Sequence, residues 1–259
     1  MGKDYLTISM AQEDMSFWQH VDVLRRSIIR CLAAVLVCGI AAFCFREPVF
    51  SAVFWPSQPS FPLWKIWPLT ADQAAIKLIN TELTQQFIVH IEVAMLVGLI
   101  AVLPYILIEL MRFIGPALYA HEKKAMLPIA IGGYTMFMIG VALAYFLIFP
   151  LTYRFLAAYQ VSETVENLIS LRSYISTLLM LATMMGILCE LPVICGILAR
   201  LGLLKASAMR RYRKHAIVII LIIAAVITPT GDAFTLMIVA LPIYLLYELS
   251  IGIVRLQTR

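Results

Sequence analysis

The sequence predicts an all-α integral membrane protein with six crossing helices, and three observations lead to that class. Apolar residues make up 62% of the 259 positions and charged residues 14%, with mean hydropathy +0.92, whereas a soluble domain carries about 25% charged residues. The apolar residues gather in runs of about 20, the length at which a helix crosses ~30 Å of hydrocarbon. The 20 lysines and arginines, which give a formal net charge of +5, sit in alternate connections between those runs. That pattern fits a membrane surface and excludes a basic face for nucleic acid.

Taken in order, the first 27 residues carry Asp4, Glu13, Asp14 and Asp22. They hold no short apolar stretch with a small-residue cleavage site, so no signal or transit peptide is expected. The first crossing is read at 28–45, retained as a signal anchor, which points to a bacterial plasma membrane. Further crossings are read at 87–111, 127–150, 173–199, 216–228 and 234–253. Each must be helical, because an unpaired amide in hydrocarbon costs several kcal/mol. With the N-terminus inside, only Arg46, Lys65, Lys77, Arg154 and Arg172 of the 20 basic residues fall outside. Both termini are therefore predicted to be cytoplasmic.

The outer segment 46–86 contains Pro48, Pro56, Pro59, Pro62 and Pro68 with Trp55, Trp64 and Trp67. Prolines forbid a regular element across its first half and indoles favour the headgroup boundary, so a structured outer cap is expected, followed by a helix-like stretch from Ala71 to Gln86. The fifth run, Ala216–Ile227, ends at Thr228-Pro229 and covers only about 18 Å of helix. It must thin the bilayer, extend through polar flanks or turn back as a hairpin. The sixth is interrupted by Pro242, which permits a bend. Cys31, Cys38, Cys44, Cys189 and Cys195 lie in or beside apolar runs without a CxxC pair and read as free thiols.

Glu190 is the most informative residue. It lies near the middle of the fourth run between apolar flanks, where an ionised carboxylate costs at least ~2.5 kcal/mol. Such a group faces a cavity or partner, or is a protonated acid hydrogen-bonded within the bundle. Pro192 bends the same helix and opens a concavity beside it. His90, Glu92, Glu109 and Glu248 lie near run ends, where side chains are expected to reach water. The inner loop Arg112–Lys124 reads RFIGPALYAHEKK. Its apolar residues Phe113, Leu118 and Tyr119 flank Pro116 beside Glu122, an arrangement suited to a peptide bearing hydrophobic and cationic residues, since a carboxylate takes a guanidinium bidentately. The Glu122-Lys123-Lys124 run has equally the pattern of a solvated face. The basic loop Lys205–Lys214 is read as a contact for lipid headgroups. No GxxxxGK[ST], GxSxG or HExxH motif is present, so no enzyme activity, cofactor or metal is expected. Energy for transport must come from a partner or from the membrane gradient.

From about His20 to Ile253 the order of motifs resembles the TatC family of twin-arginine (Sec-independent) protein translocases. His20, Leu24 and Arg25 match a cytoplasmic His-x-x-Glu-Leu-Arg, with Val23 at the family's Glu and Asp22 beside it. Phe113, Pro116, Ala117, Leu118, Tyr119 and Glu122 with a basic pair follow the family's first inner loop. Pro56, Pro104 and Glu190-Leu191-Pro192 resemble further family positions. Thr228-Pro229-Thr230-Gly231-Asp232 resembles Thr-Pro-x-Asp with one extra residue, followed by Thr235-Leu236 in place of Ser-Gln.

The resemblance implies a concave, glove-like six-helix bundle with short fifth and sixth crossings. It implies a receptor for the twin-arginine signal peptides of folded proteins, working with TatA- and TatB-type single-span subunits as a hetero-oligomer of several copies in the bacterial inner membrane, driven by the proton motive force. Glu122 and Asp22, with Arg25, Phe113, Pro116, Leu118 and Tyr119, would form the signal-peptide surface. Glu190, Asp232, Pro56 and Pro104 would serve intramembrane and partner contacts. The alternative from another class is an ion-coupled secondary transporter of a small solute with Glu190 as its ion site, although no inverted repeat supports it.

Overall fold

The structure, a computed structural model, describes residues 17–66, 78–114, 126–159, 168–228 and 232–257. The chain begins with α1 (Phe17–Cys44), which starts well ahead of the first apolar run because the helix continues through the polar turns around Asp22 and Arg26. It packs chiefly against α4 (Gln85–Ile114). Where the two cross, a Cβ on Gly98 would lie 2.6 Å from the Gly39 nitrogen and 2.9 Å from the Val35 carbonyl oxygen, so glycine alone permits the approach. The rest of α1, including Ile29, Leu32, Leu36, Val37 and Ile40, is exposed. Such a surface is stable in lipid or against a partner helix, not in water.

Between them lies an ordered cap. Contrary to the expectation that prolines forbid a regular element here, helix α2 (Arg46–Phe54) carries Pro48 in its first turn, where no intrahelical N–H bond is lost; it leads into a 3-10 turn at Trp55–Ser57, and α3 (Pro62–Ile66) opens on a proline, whose missing N–H would be unpaired there anyway. Phe61 is fully buried among Trp55, Trp64, Tyr145 and Phe146. The hydroxyls of Tyr145 and Tyr174 donate to the Ala52 and Val53 carbonyls, satisfying groups left open at the α2 C-terminus. Of the helix expected from Ala71 to Gln86, residues 71–77 lie outside the described residues, and 78–84 are not helical. Leu78–Ile79 form a short strand, β1, paired in parallel with β2 (Ile169–Ser170), and a turn follows. The Gln85 Oε1 accepts from the Thr81 and Glu82 amides in that turn, which delays the start of α4.

The third crossing comprises α5 (Met126–Leu143), a π-helical turn at Ala144–Ile148, and α6 (Phe149–Ala158). Pro150 cannot donate to the preceding turn, and the wider turn accommodates it. The fourth comprises α7 (Leu171–Cys189) and α8 (Leu191–Arg200), divided at Glu190 just ahead of Pro192. Helix α7 is central: Ile175, Leu181 and Met185 are fully buried, in a core shared with Val93 of α4, Ile148 of the π turn, Ala224 of α10 and Val239 of α11.

After α9 (Ala206–Arg211), α10 (Arg213–Ile227) has 15 residues, about 22 Å, and stops where the Thr228 hydroxyl donates to the Ala224 carbonyl. Among the described residues five helices are long and apolar enough to cross a membrane; α10 is not one of them. The last helix corrects an expectation: α11 (Ala233–Gln257) has 25 residues and is not short. Pro242 does not end it, and the helix runs on through Arg255 beyond the apolar run.

Candidate functional site

Two acidic centres stand out, one in the middle of the bundle and one at the end opposite the cap. The first is Glu190. Pro192 removes the amide that would continue α7, and the break leaves the Glu190 carbonyl bonded by the Ile194 amide at 2.9 Å. The carboxyl packs against α5 and α4: a Cβ on Gly133 would lie 3.0 Å from Oε2, 3.4 Å from Oε1 and 3.3 Å from Leu107 Cδ1. Glycine at 133 thus makes the space that the acid occupies. The Oε1 atom is buried and has no hydrogen-bond partner among the described residues. An unsatisfied carboxyl oxygen in this setting costs on the order of 1–3 kcal/mol or more, and a donor brought by another molecule would recover it.

The second centre corrects the expectation that Glu109 reaches water. Its side chain is buried, at 5% exposure, and accepts from Ser27 Oγ at 3.1 Å, Tyr105 Oη at 3.2 Å and Arg112 Nη1 at 3.3 Å, with Arg30 Nη1 at 3.9 Å. The network ties α1 to α4. Tyr105 and Arg112 lie four residues before and three after Glu109, on one helical face, which is the signal hydropathy alone does not carry. Beyond it towards the bundle end, Asp22 and Arg25 form an exposed ion pair at 4.0 Å, and Phe113 is half-buried on α4. Pro116, Leu118, Tyr119 and Glu122 lie outside the described residues.

The remaining candidates are dispersed. Asp232 caps α11, its Oδ1 accepting from the Thr235 amide at 2.7 Å. Pro56 is buried in the cap and its carbonyl accepts from Trp64 Nε1 at 3.3 Å. Pro104 lies inside α4, which continues through it. His90 is stacked on Phe43, with ring centroids 3.8 Å apart, and its Nε2 is buried without a partner among the described residues. Glu248 accepts from Arg213 Nη2 at 2.7 Å and from Tyr244 Oη at 3.2 Å, fastening α10 to α11. Glu92 is exposed. Among the described residues no group of three or more His, Cys, Asp or Glu side chains could hold a metal ion.

Comparison with known proteins places this bundle. The family described as Sec-independent protein translocase protein (TatC) matches residues 19–242. The chain is 33% identical to the Sec-independent protein translocase protein TatC of Aquifex aeolicus (strain VF5) over 246 residues, covering 95% of this chain and 97% of that one. It is 30% identical to the TatC protein of Escherichia coli (strain K12), covering 90% and 85%. A crystal structure of a twin-arginine translocase receptor, TatC, aligns with TM-score 0.76 at 34% identity, covering 93% of this chain and all of that one. Multi-pass architecture, sequence and fold agree: the chain belongs to the TatC family, a component of the Sec-independent protein translocase and not of a catalytic enzyme family.

Proposed function

We propose that this chain is the receptor subunit that binds twin-arginine signal peptides of folded proteins and, with TatA- and TatB-type single-span partners, exports them across a bacterial plasma membrane. In this reading the termini are cytoplasmic, the cap faces outward, and the end carrying Asp22, Arg25 and Phe113 receives the signal peptide. Glu122, with Asp22, takes the signal's guanidinium groups, while Phe113, Pro116, Leu118 and Tyr119 supply the apolar surface beside them. Glu190 accepts a polar group from the signal's apolar segment or from a partner helix. Several copies assemble together, and the membrane gradient supplies the energy.

The observation that carries this reading is the buried Glu190 Oε1 without a donor among the described residues, in a fold that matches a twin-arginine translocase receptor along 93% of the chain. The family match does not favour the rival, a solute transporter using the same acid as an ion site. Crosslinking of a twin-arginine signal peptide to this chain tests the proposal. Glu122→Gln is expected to lower the crosslink yield by about tenfold, the effect of losing ~1.4 kcal/mol. Full crosslinking and export by that variant would remove Glu122 from the role.

A further inference from the structure

At the cap end, α1 finishes at Cys44 and α4 starts at Gln85. Between α2, α4 and the start of α7 is a cleft of about 480 Å³ whose lining includes Arg46, Phe50, Gln86, Phe87, His90 and Leu171. Its polar groups are unusual for a lipid-facing position. Arg46 is exposed and has no ion-pair partner among the described residues. The His90 ring is held between Phe43, stacked at 3.8 Å, and Phe50, edge-on at 5.3 Å, yet its Nε2 has no hydrogen-bond partner among the described residues. A buried imidazole nitrogen without a partner calls for one. Phe87 and Ile91, 62% and 41% exposed, continue the wall as an apolar strip on the outside of α4.

A guanidinium, an imidazole and a carboxamide grouped at headgroup depth above an apolar strip match one chemistry. Arginine takes phosphate oxygens through paired N–H groups, and pockets of this kind between membrane helices suit phospholipid headgroups. A soluble anion would leave the strip unused. A partner helix would bring backbone groups already satisfied and leave Arg46 without a counter-charge. Glu47, exposed beside Arg46, keeps the surroundings from being purely cationic, so zwitterionic and singly anionic headgroups both fit. We propose that this cleft binds the phosphodiester headgroup of a membrane phospholipid, with Arg46 on the phosphate, His90 and Gln86 hydrogen-bonding headgroup oxygens, and an acyl chain along Phe87 and Ile91. The site is independent of the translocase reading, since it is measured without cargo or partners.

The test is lipid retention by the purified full chain, read by native mass spectrometry with dioleoyl phosphatidylglycerol, dioleoyl phosphatidylethanolamine or dioleoylglycerol as the added probe. Either phospholipid is expected to bind, and dioleoylglycerol, which lacks the phosphate, at least about tenfold more weakly. Arg46→Gln with His90→Phe, which keeps the stack on Phe43, is expected to lower phospholipid retention by about tenfold. Arg200→Gln, exposed in the last turn of α8 at the opposite end, is expected to leave it unchanged. Should the double variant misfold, Arg46→Gln alone alters an exposed side chain and keeps the test readable. Equal binding of dioleoylglycerol, retention unaffected by the cleft variants, or an equal loss from Arg200→Gln would each overturn the proposal.

Discussion

Glu109 and Glu190 are acids in the same apolar bundle, and their surroundings differ in one respect: donors. Glu109 is met by two hydroxyls and two guanidinium groups, whereas Glu190 Oε1 meets none among the described residues. A satisfied buried acid holds helices in register; an unsatisfied one is costly unless something else completes it. Glu109→Leu is therefore expected to lower stability by about 1–3 kcal/mol, because the Ser27 and Tyr105 hydroxyls lose their acceptor. The arginines are largely exposed, which limits their share. Glu109→Gln keeps an acceptor and costs less than half as much; thermal unfolding in detergent ranks the two. Gly133→Val pushes a side chain into the Glu190 carboxyl and is expected to cost about 1–3 kcal/mol by overpacking. Adding Glu190→Ala then restores part of that loss, a coupling of at least ~0.5 kcal/mol in a double-mutant cycle. Strict additivity would show that the two residues do not share the space.

Among the elements, α10 carries the clearest mechanical consequence. At about 22 Å it is shorter than ~30 Å of hydrocarbon, and Arg213 and Lys214 at its start resist being drawn inwards. The bilayer beside it is expected to thin by roughly 5–10 Å relative to the bilayer beside α1. Lipid-resolved cryo-EM in nanodiscs measures this, and uniform thickness around the protein would contradict it. The short α10 was legible in the sequence because an apolar run closed by Thr228-Pro229 leaves little freedom of length. The ordered cap was legible from its prolines and tryptophans for a similar local reason. The pairing of β1 with β2 was not, since Leu78 and Ile169 meet only through tertiary contact. Nor was the burial of Glu109, which depends on Ser27 and Arg30, residues far away in sequence. The short sixth crossing was an implication of the resemblance and not of hydropathy, whose run at 234–253 lies within α11; hydropathy marks where lipid ends, while hydrogen bonding decides where a helix ends.

At the scale of the molecule, the bundle joins a capped end, a polar end, and between them a helix break at which an acid is held in a space made by glycine. The polar end with Asp22, Arg25 and Phe113 lies below the α1–α4 clamp, and Glu190 lies deeper in the same bundle. Under the proposed function, a signal peptide with a charged start and an apolar core would meet these groups in that order. Tight packing of α7 against nearly every other crossing makes the break at Glu190 a rigid feature and not a loose one. Export of a folded reporter bearing a twin-arginine signal tests this most directly, in a strain lacking its own TatC and supplied with this chain and the single-span partners proposed for it. The account predicts that the unaltered chain restores export and that Glu190→Leu, present in the membrane at equal amount, gives at most about a tenth of that rate, a loss of ~1.4 kcal/mol. A Glu190→Leu chain that exports the reporter as fast as the unaltered one would contradict it.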